Sequence, residues 1–203
     1  VTAAQGSNAA GVDSERPSYP VSGFNLRYAT EQPQLPGLDD LVKTEVVLGR
    51  VQGGYVAPGS GTQDVKITLE EIGLKPPERF SSKALFAVAQ AVLQQMNRKG
   101  VVGVTVAPSE SEFTPATEGD PEWGKDLRPA NRRAVTLVVR TAVVTEIRTI
   151  AFGDRIKYED RINSKVHERI RKNSPVVNFD PDDARRKDLL RKDLLDNYVF
   201  RLN

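Results

Sequence analysis

Few side chains in this sequence stand in patterns that could do chemistry. Glu70-Glu71 and Asp182-Asp183 are adjacent carboxylates. A general acid/base pair needs two carboxyl groups converging on one substrate, so neighbours in sequence suit a solvated loop better. The single histidine, His167, lies in a basic helical stretch and cannot build a multi-histidine metal cluster. There is no cysteine, which removes disulfides, thiolate metal sites and cysteine nucleophiles together. No Gly-x-Ser-x-Gly, phosphate-binding loop or dinucleotide glycine pattern stands between a strand and a helix. The basic patches Arg132-Arg133 and Arg185-Arg186-Lys187 are interleaved with acids and read as solvated faces. With 29 basic and 27 acidic residues the net charge is +2, which supplies no general attraction to nucleic acid or anionic lipid. The expectation is a chain without catalytic residues, cofactor or metal, acting by binding.

The elements that could position a binding surface centre on Phe80 to Pro108. Ser81 or Ser82 can cap a helix through a hydroxyl on a free backbone N–H. Leu85, Val88, Ala89, Val92 and Met96 then recur at three- and four-residue spacing and share one face. Arg98 and Lys99 suit the negative end of the helix dipole, and Gly100 suits a left-handed helix stop. Val101 to Ala107 follows at once as a β-branched, alternating strand, with Val102, Val104 and Val106 facing one way.

Around this unit, residues 1–23 are expected to form a flexible leader. Phe24 to Tyr28 alternates as a strand and is broken by Pro33, Pro36 and Gly37. Residues 38–50 fit a helix start (Leu38, Leu41, Val42 behind Asp39-Asp40) and equally a strand at Thr44 to Leu48. Asp64 to Ile72 predicts a half-buried strand, with Val65, Ile67 and Leu69 inward. Ser109 to Arg133 is a polar insert expected on the surface; it contains the only tryptophan, Trp123. Ala134 to Arg140 should be a strand with Val135, Leu137 and Val139 inward, paired with Val101–Ala107 in a long-tipped hairpin. Val144 to Phe152 predicts a further strand, and two helices follow. Ile162, Val166 and Ile170 form the stripe of the first, ended by Ser174-Pro175. Leu190, Leu194, Tyr198 and Leu202 form the stripe of the second, opened near Pro181. No apolar run approaches the roughly 20 residues that span a bilayer, so no membrane span is expected in this segment.

The order strand, helix, helix, strand, strand, followed by the start of a second copy, resembles the POTRA domain. That is a periplasmic module strung in tandem before outer-membrane β-barrels. More narrowly it is similar to the transporters of two-partner secretion, of the haemolysin secretion/activation type. Phe80-Ser-Ser-Lys-Ala-Leu85 and Met96-Asn-Arg-Lys-Gly-Val-Val-Gly-Val-Thr-Val-Ala-Pro108 are similar to that family's second helix, glycine and second strand. Val135 to Arg148 resembles its third strand running into the next module. Arg161-Ile-Asn163, Asn173-Ser-Pro-Val176 and Leu189 to Asn203 resemble the helices of that module.

The resemblance implies an α+β fold of tandem β-α-α-β-β modules. The first would span 24–142 with the 109–133 insert, and the second, incomplete, 143–203. It implies a periplasmic, non-enzymatic part of an outer-membrane protein. Its partners would be an unfolded polypeptide client and a β-barrel of the same parent chain, and no nucleic acid. The client would add as a strand to the edge Val101, Val102, Gly103, Val104, Thr105, Val106 and Ala107, beside a groove at Ala89 and Leu93. A proline at Thr105 is expected to break that capture. Competing expectations are a structural or assembly module of a β-barrel insertion or cell-division complex, and a nucleic-acid-binding α+β domain using the basic helices of the second unit.

Overall fold

The computed structural model describes residues 18–114, 124–153, 156–176 and 188–202. They divide into two compact units. The first comprises Val1–Glu31, Pro36–Gln95 and Thr105–Arg140; the second comprises Gln32–Leu35, Met96–Val104 and Thr141–Asn203.

In the first unit, alternation produces strands where a partner exists. Phe24 and Leu26 put their side chains into the core from β2 (Gly23–Tyr28). Val135, Leu137 and Val139 do the same from β8 (Ala134–Thr141). The two strands run parallel, with Phe24 opposite Val135 and Leu26 opposite Leu137. β7 (Val104–Pro108) completes a three-stranded sheet in the order β2-β8-β7. β7 and β8 form the expected hairpin.

The central helix also follows its stripe. α3 (Ser82–Arg98) buries Leu85, Val88, Ala89, Val92 and Met96. Ser81 is the capping residue: its Oγ accepts from the Ala84 N–H at 3.1 Å.

A second sheet was not foreseen. Its order is β1-β6-β4-β3-β5, formed by Tyr19–Val21, Glu78–Phe80, Gly54–Val56, Glu45–Val51 and Gln63–Thr68. Residues 19–21, placed in the leader by sequence, are its edge strand β1, with Tyr19 and Val21 buried. Residues 1–17 of that leader lie outside the described residues. Residues 38–50 resolve as both alternatives in turn: helix α1 (Leu38–Leu41), then β3. The two sheets are tied by Phe80, fully buried, whose ring meets Tyr55 at 4.9 Å and Phe24 edge-on at 5.8 Å.

The strand expected at 64–72 stops early. Leu69–Leu74 is helix α2. Thr68 caps it: its hydroxyl accepts from the Glu71 N–H, and the Glu71 carboxylate accepts from the Thr68 N–H at 2.8 Å. Thr-x-x-Glu is a capping box, a signal that alternation of apolar residues overlooks. The two bonds from Thr68 hold the Glu71 carboxyl below the usual carboxylate range. A lowered folded-state value stabilises the helix above the unfolded value and is lost as pH falls through the folded one. Loss of the cap in Thr68→Ala is expected to cost about 1 kcal/mol, read from urea melts at pH 7, while the acid limb persists because the residue 68 N–H still donates to Glu71.

The insert 109–133 is anchored rather than merely superficial. Phe113 is 2% exposed and pairs with Asp126, and Leu127 N–H donates to Glu112 O at 2.8 Å. Arg128 is buried beneath this ladder. Trp123 lies outside the described residues.

The second unit departs furthest from expectation. Residues 144–152 form no regular strand; only isolated pairings occur, Val143 with Leu189 and Ile150 with Ile162. β-branched residues favour extended chain only when neighbouring strands pack against them. The first expected helix is reduced to 3₁₀ turns at Tyr158–Asp160 and Lys165–His167 and then α4 (Glu168–Lys172). Asn163, at φ 55°, interrupts it, because its side chain and backbone bind Thr149 on the facing segment. Ile162 and Val166 are left exposed. The second expected helix is α5 (Lys192–Leu202), so Leu190 lies before it. Its expected opening at Pro181 lies outside the described residues.

Candidate functional site

The outer border of the three-stranded sheet follows from its register. Ala142 N–H donates to Gly103 O at 2.8 Å, and Ser109 N–H donates to Thr136 O at 2.9 Å. Six residues separate these bonds on each strand, 103 to 109 and 136 to 142, so the antiparallel pairing carries no bulge. Gly103, Thr105, Ala107 and Ser109 therefore turn their main-chain groups toward β8. Val104 and Val106 turn theirs away, and among the described residues nothing pairs with them. Pro108 offers only a carbonyl there, and Glu112 closes the end by accepting from Thr136 N–H at 2.7 Å and its hydroxyl at 2.6 Å.

The side chains sort by the same alternation. Val104 is buried and Val106 half-buried on the face shared with Leu137 and Val139, while Thr105 is exposed on the other. Thr105 is thus the wrong position for a proline test of the outer edge: its N–H belongs to the β8 ladder. Val106 carries the outward donor.

Of the seven expected edge residues, only Val104 to Ala107 lie in the regular strand. Val101 and Val102 are already engaged within the second unit. Val102 N–H donates to Leu190 O at 3.1 Å, Lys192 N–H donates to Gly100 O at 2.9 Å, and Val101 pairs antiparallel with Arg191. Gly103 takes φ +69°, which a side chain rarely adopts, and this ends the run of extended backbone.

The proposed groove residues fare unequally. Ala89 is 5% exposed and belongs to the core stripe of α3; Leu93 is half-buried. Sequence reasoning passed over Phe86, exposed on α3 and seven residues before Leu93, hence on the same helix face. An apolar residue at a position off the main stripe was the available signal.

The edges of the described sheets differ in how they are protected. β5 carries Asp64 and Lys66, both exposed; β1 has three residues and contains Pro20; β2 carries the exposed Arg27 and packs against α2. Charge, proline and short length all oppose strand addition. β7, Val-Thr-Val-Ala-Pro, has no charged residue.

A second concave feature lies within the second unit, between α4 and α5. It is an open groove of about 740 Å³ lined by Val166, Ile170, Leu194 and Tyr198, with Arg169 and Arg201 among its polar residues. Tyr198 crosses it to donate to Ile170 O at 2.8 Å. No group of three His, Cys, Asp or Glu side chains among the described residues could hold a metal ion, and no described helix is long and apolar enough to cross a membrane. No family model, curated protein or solved structure matches this chain.

Proposed function

We propose that this chain is the periplasmic, POTRA-like part of an outer-membrane protein transporter of the two-partner-secretion type, and that it captures unfolded polypeptide by strand addition at β7. The observation that carries the reading is the β7 border: an uncharged edge strand whose Val104 and Val106 main-chain groups have no partner among the described residues. An extended client satisfies those groups with its own backbone, so affinity comes from the main chain and selection by side chains stays loose. That suits a protein passing many different segments of one long chain.

The order of elements supports the same reading. β2, α2, α3, β7 and β8 follow the sequence strand, helix, helix, strand, strand, with the first strand parallel to the last. The five-stranded sheet is then an addition to that plan.

Titration of the ¹⁵N-labelled protein with a peptide of alternating Thr and Val tests the site. The amide resonances of Val104 and Val106 are expected to shift most, with a dissociation constant weaker than about 1 μM. Shifts centred on β5 or on the α4–α5 groove would place client binding elsewhere, and no shift at millimolar peptide would remove the proposed activity.

A further inference from the structure

We propose that β5 is a dimerisation edge whose occupant is the β5 of a second copy of this chain, laid antiparallel about a two-fold axis at Val65. The inference lies within the first unit and does not depend on the reading of β7.

Register decides which groups of β5 are open. It pairs with β3 over an unbroken run, from Glu45 opposite Thr68 to Arg50 opposite Gln63. Leu69 N–H donates to Thr44 O at 3.2 Å, the next step of the same ladder. Hydrogen-bonded pairs therefore recur at Val46–Ile67, Leu48–Val65 and Arg50–Gln63. Asp64, Lys66 and Thr68 turn their main-chain groups the other way, and β5 is the last strand of its sheet. The Thr68 N–H is taken by the Glu71 carboxylate. Asp64 and Lys66 each present an N–H and a C=O that have no main-chain partner among the described residues.

Their charges choose the occupant. Both side chains are exposed and stand on one face of the strand. A neutral strand leaves them unmatched, which is why they protect this edge. A second β5 run antiparallel about Val65 sets Asp64 opposite Lys66 of the other copy, and Lys66 opposite its Asp64. All of these residues face outward, so each pair exchanges both main-chain bonds and adds an ion pair. Sliding by two residues sets Asp64 against Asp64 or Lys66 against Lys66, which like-charge repulsion disfavours. Sliding by one sets outward groups against inward ones and forms no ladder.

Both charged groups have capacity for a second partner. Asp64 Oδ1 accepts from Gly59 N–H at 2.9 Å, which leaves Oδ2. Lys66 Nζ meets Glu45 Oε2 at 2.6 Å, and an ammonium has further donors for another carboxylate. No residue of β5 takes a positive φ, so nothing interrupts the extended backbone that the second copy meets.

The contact is small and its ion pairs are solvated, so a dissociation constant of about 0.1 mM is expected. Sedimentation equilibrium of the parent from about 10 μM to about 1 mM is expected to show monomer passing to dimer. The Asp64 and Lys66 amide resonances are expected to move over the same range. Asp64→Lys makes the edge wholly basic and Lys66→Asp makes it wholly acidic. Each variant alone is expected to associate at least about tenfold more weakly than the parent. Mixed one to one, they are expected to recover the parent's association, because every opposing pair is again opposite in sign. Recovery also shows that both variants are folded. A parent that stays monomeric at about 1 mM, single variants that dimerise as the parent does, or a mixture that stays monomeric each overturns the proposal. None of these results bears on peptide capture at β7, so the two readings fail separately.

Discussion

Val106→Pro is expected to abolish peptide capture, a loss of at least about tenfold, while the thermal midpoint moves by only a few degrees. The imino ring removes the outward N–H of Val106 and adds bulk along the border that an incoming strand must approach. It removes no bond of the native ladder, because Val106 faces away from β8. Proline is tolerated in sheets at such outward edge positions. Thr105→Pro is the informative contrast. Its N–H points into the β7–β8 ladder, so the same substitution one residue earlier is expected to destabilise the first unit by about 1–3 kcal/mol, the cost of a broken ladder bond with its acceptor left unpaired. Peptide titration and thermal melting of the two variants separate loss of binding from loss of fold. If Val106→Pro binds peptide as the parent does, β7 is not the client edge.

Arg128→Ala is expected to destabilise the first unit by about 3 kcal/mol. The guanidinium side chain is 1% exposed and donates four hydrogen bonds. Its Nε and Nη2 grip the Asp126 carboxylate, both at 2.9 Å. Nη1 donates to Arg133 O at 2.8 Å and Nη2 to Pro20 O at 3.0 Å, and the group lies 4.9 Å from the centre of the Phe113 ring. One side chain thus joins β1, the base of the insert and the start of β8. Alanine leaves two carbonyls without their donor in a place with little water, and leaves the carboxylate only the backbone N–H of residue 128. Lysine does not rescue, because a single ammonium cannot span these directions.

The pH dependence supplies an internal control. Burial pushes the Asp126 carboxyl up, but the Arg128 bonds outweigh it and hold it below the usual carboxylate range. Its contribution is complete above the unfolded carboxylate value and disappears as pH falls through the folded one. In Arg128→Ala the side-chain bonds and charge go while the backbone N–H of residue 128 and the Arg133 charge remain, so that acid loss is expected to shrink. Urea melts at pH 7 and pH 3 measure both effects; parent and variant with equal midpoints at pH 7 would show the cluster to be decorative.

The first unit was legible where one residue pattern decided one element. The α3 stripe, its serine cap, its glycine stop and the alternation of β2 and β8 all depend on spacing within one segment. Local spacing is what a linear sequence displays. The Thr68–Glu71 capping box was equally local, and was missed because Val65, Ile67 and Leu69 alternate straight across it. The five-stranded sheet could not be read in the same way. β1 and β6 are three residues each, and β6 joins β1 on one side and β4 on the other across long stretches of chain. Pairings between short, distant segments leave little periodicity to detect.

The candidate site divides along the same line. Composition and spacing were enough to set out an α+β chain, with no cysteine and no recognisable catalytic pattern, and with an apolar, uncharged strand after the central helix. Which half of that strand stays open was decided only in three dimensions. The outward direction of Val106 comes from a register set by Thr136 and Ala142, far along the chain. The occupation of Val102 comes from Leu190, farther still along the chain. Backbone groups are identical at every residue, so a sequence cannot mark which of them are taken. Their pairing depends on where other segments come to rest.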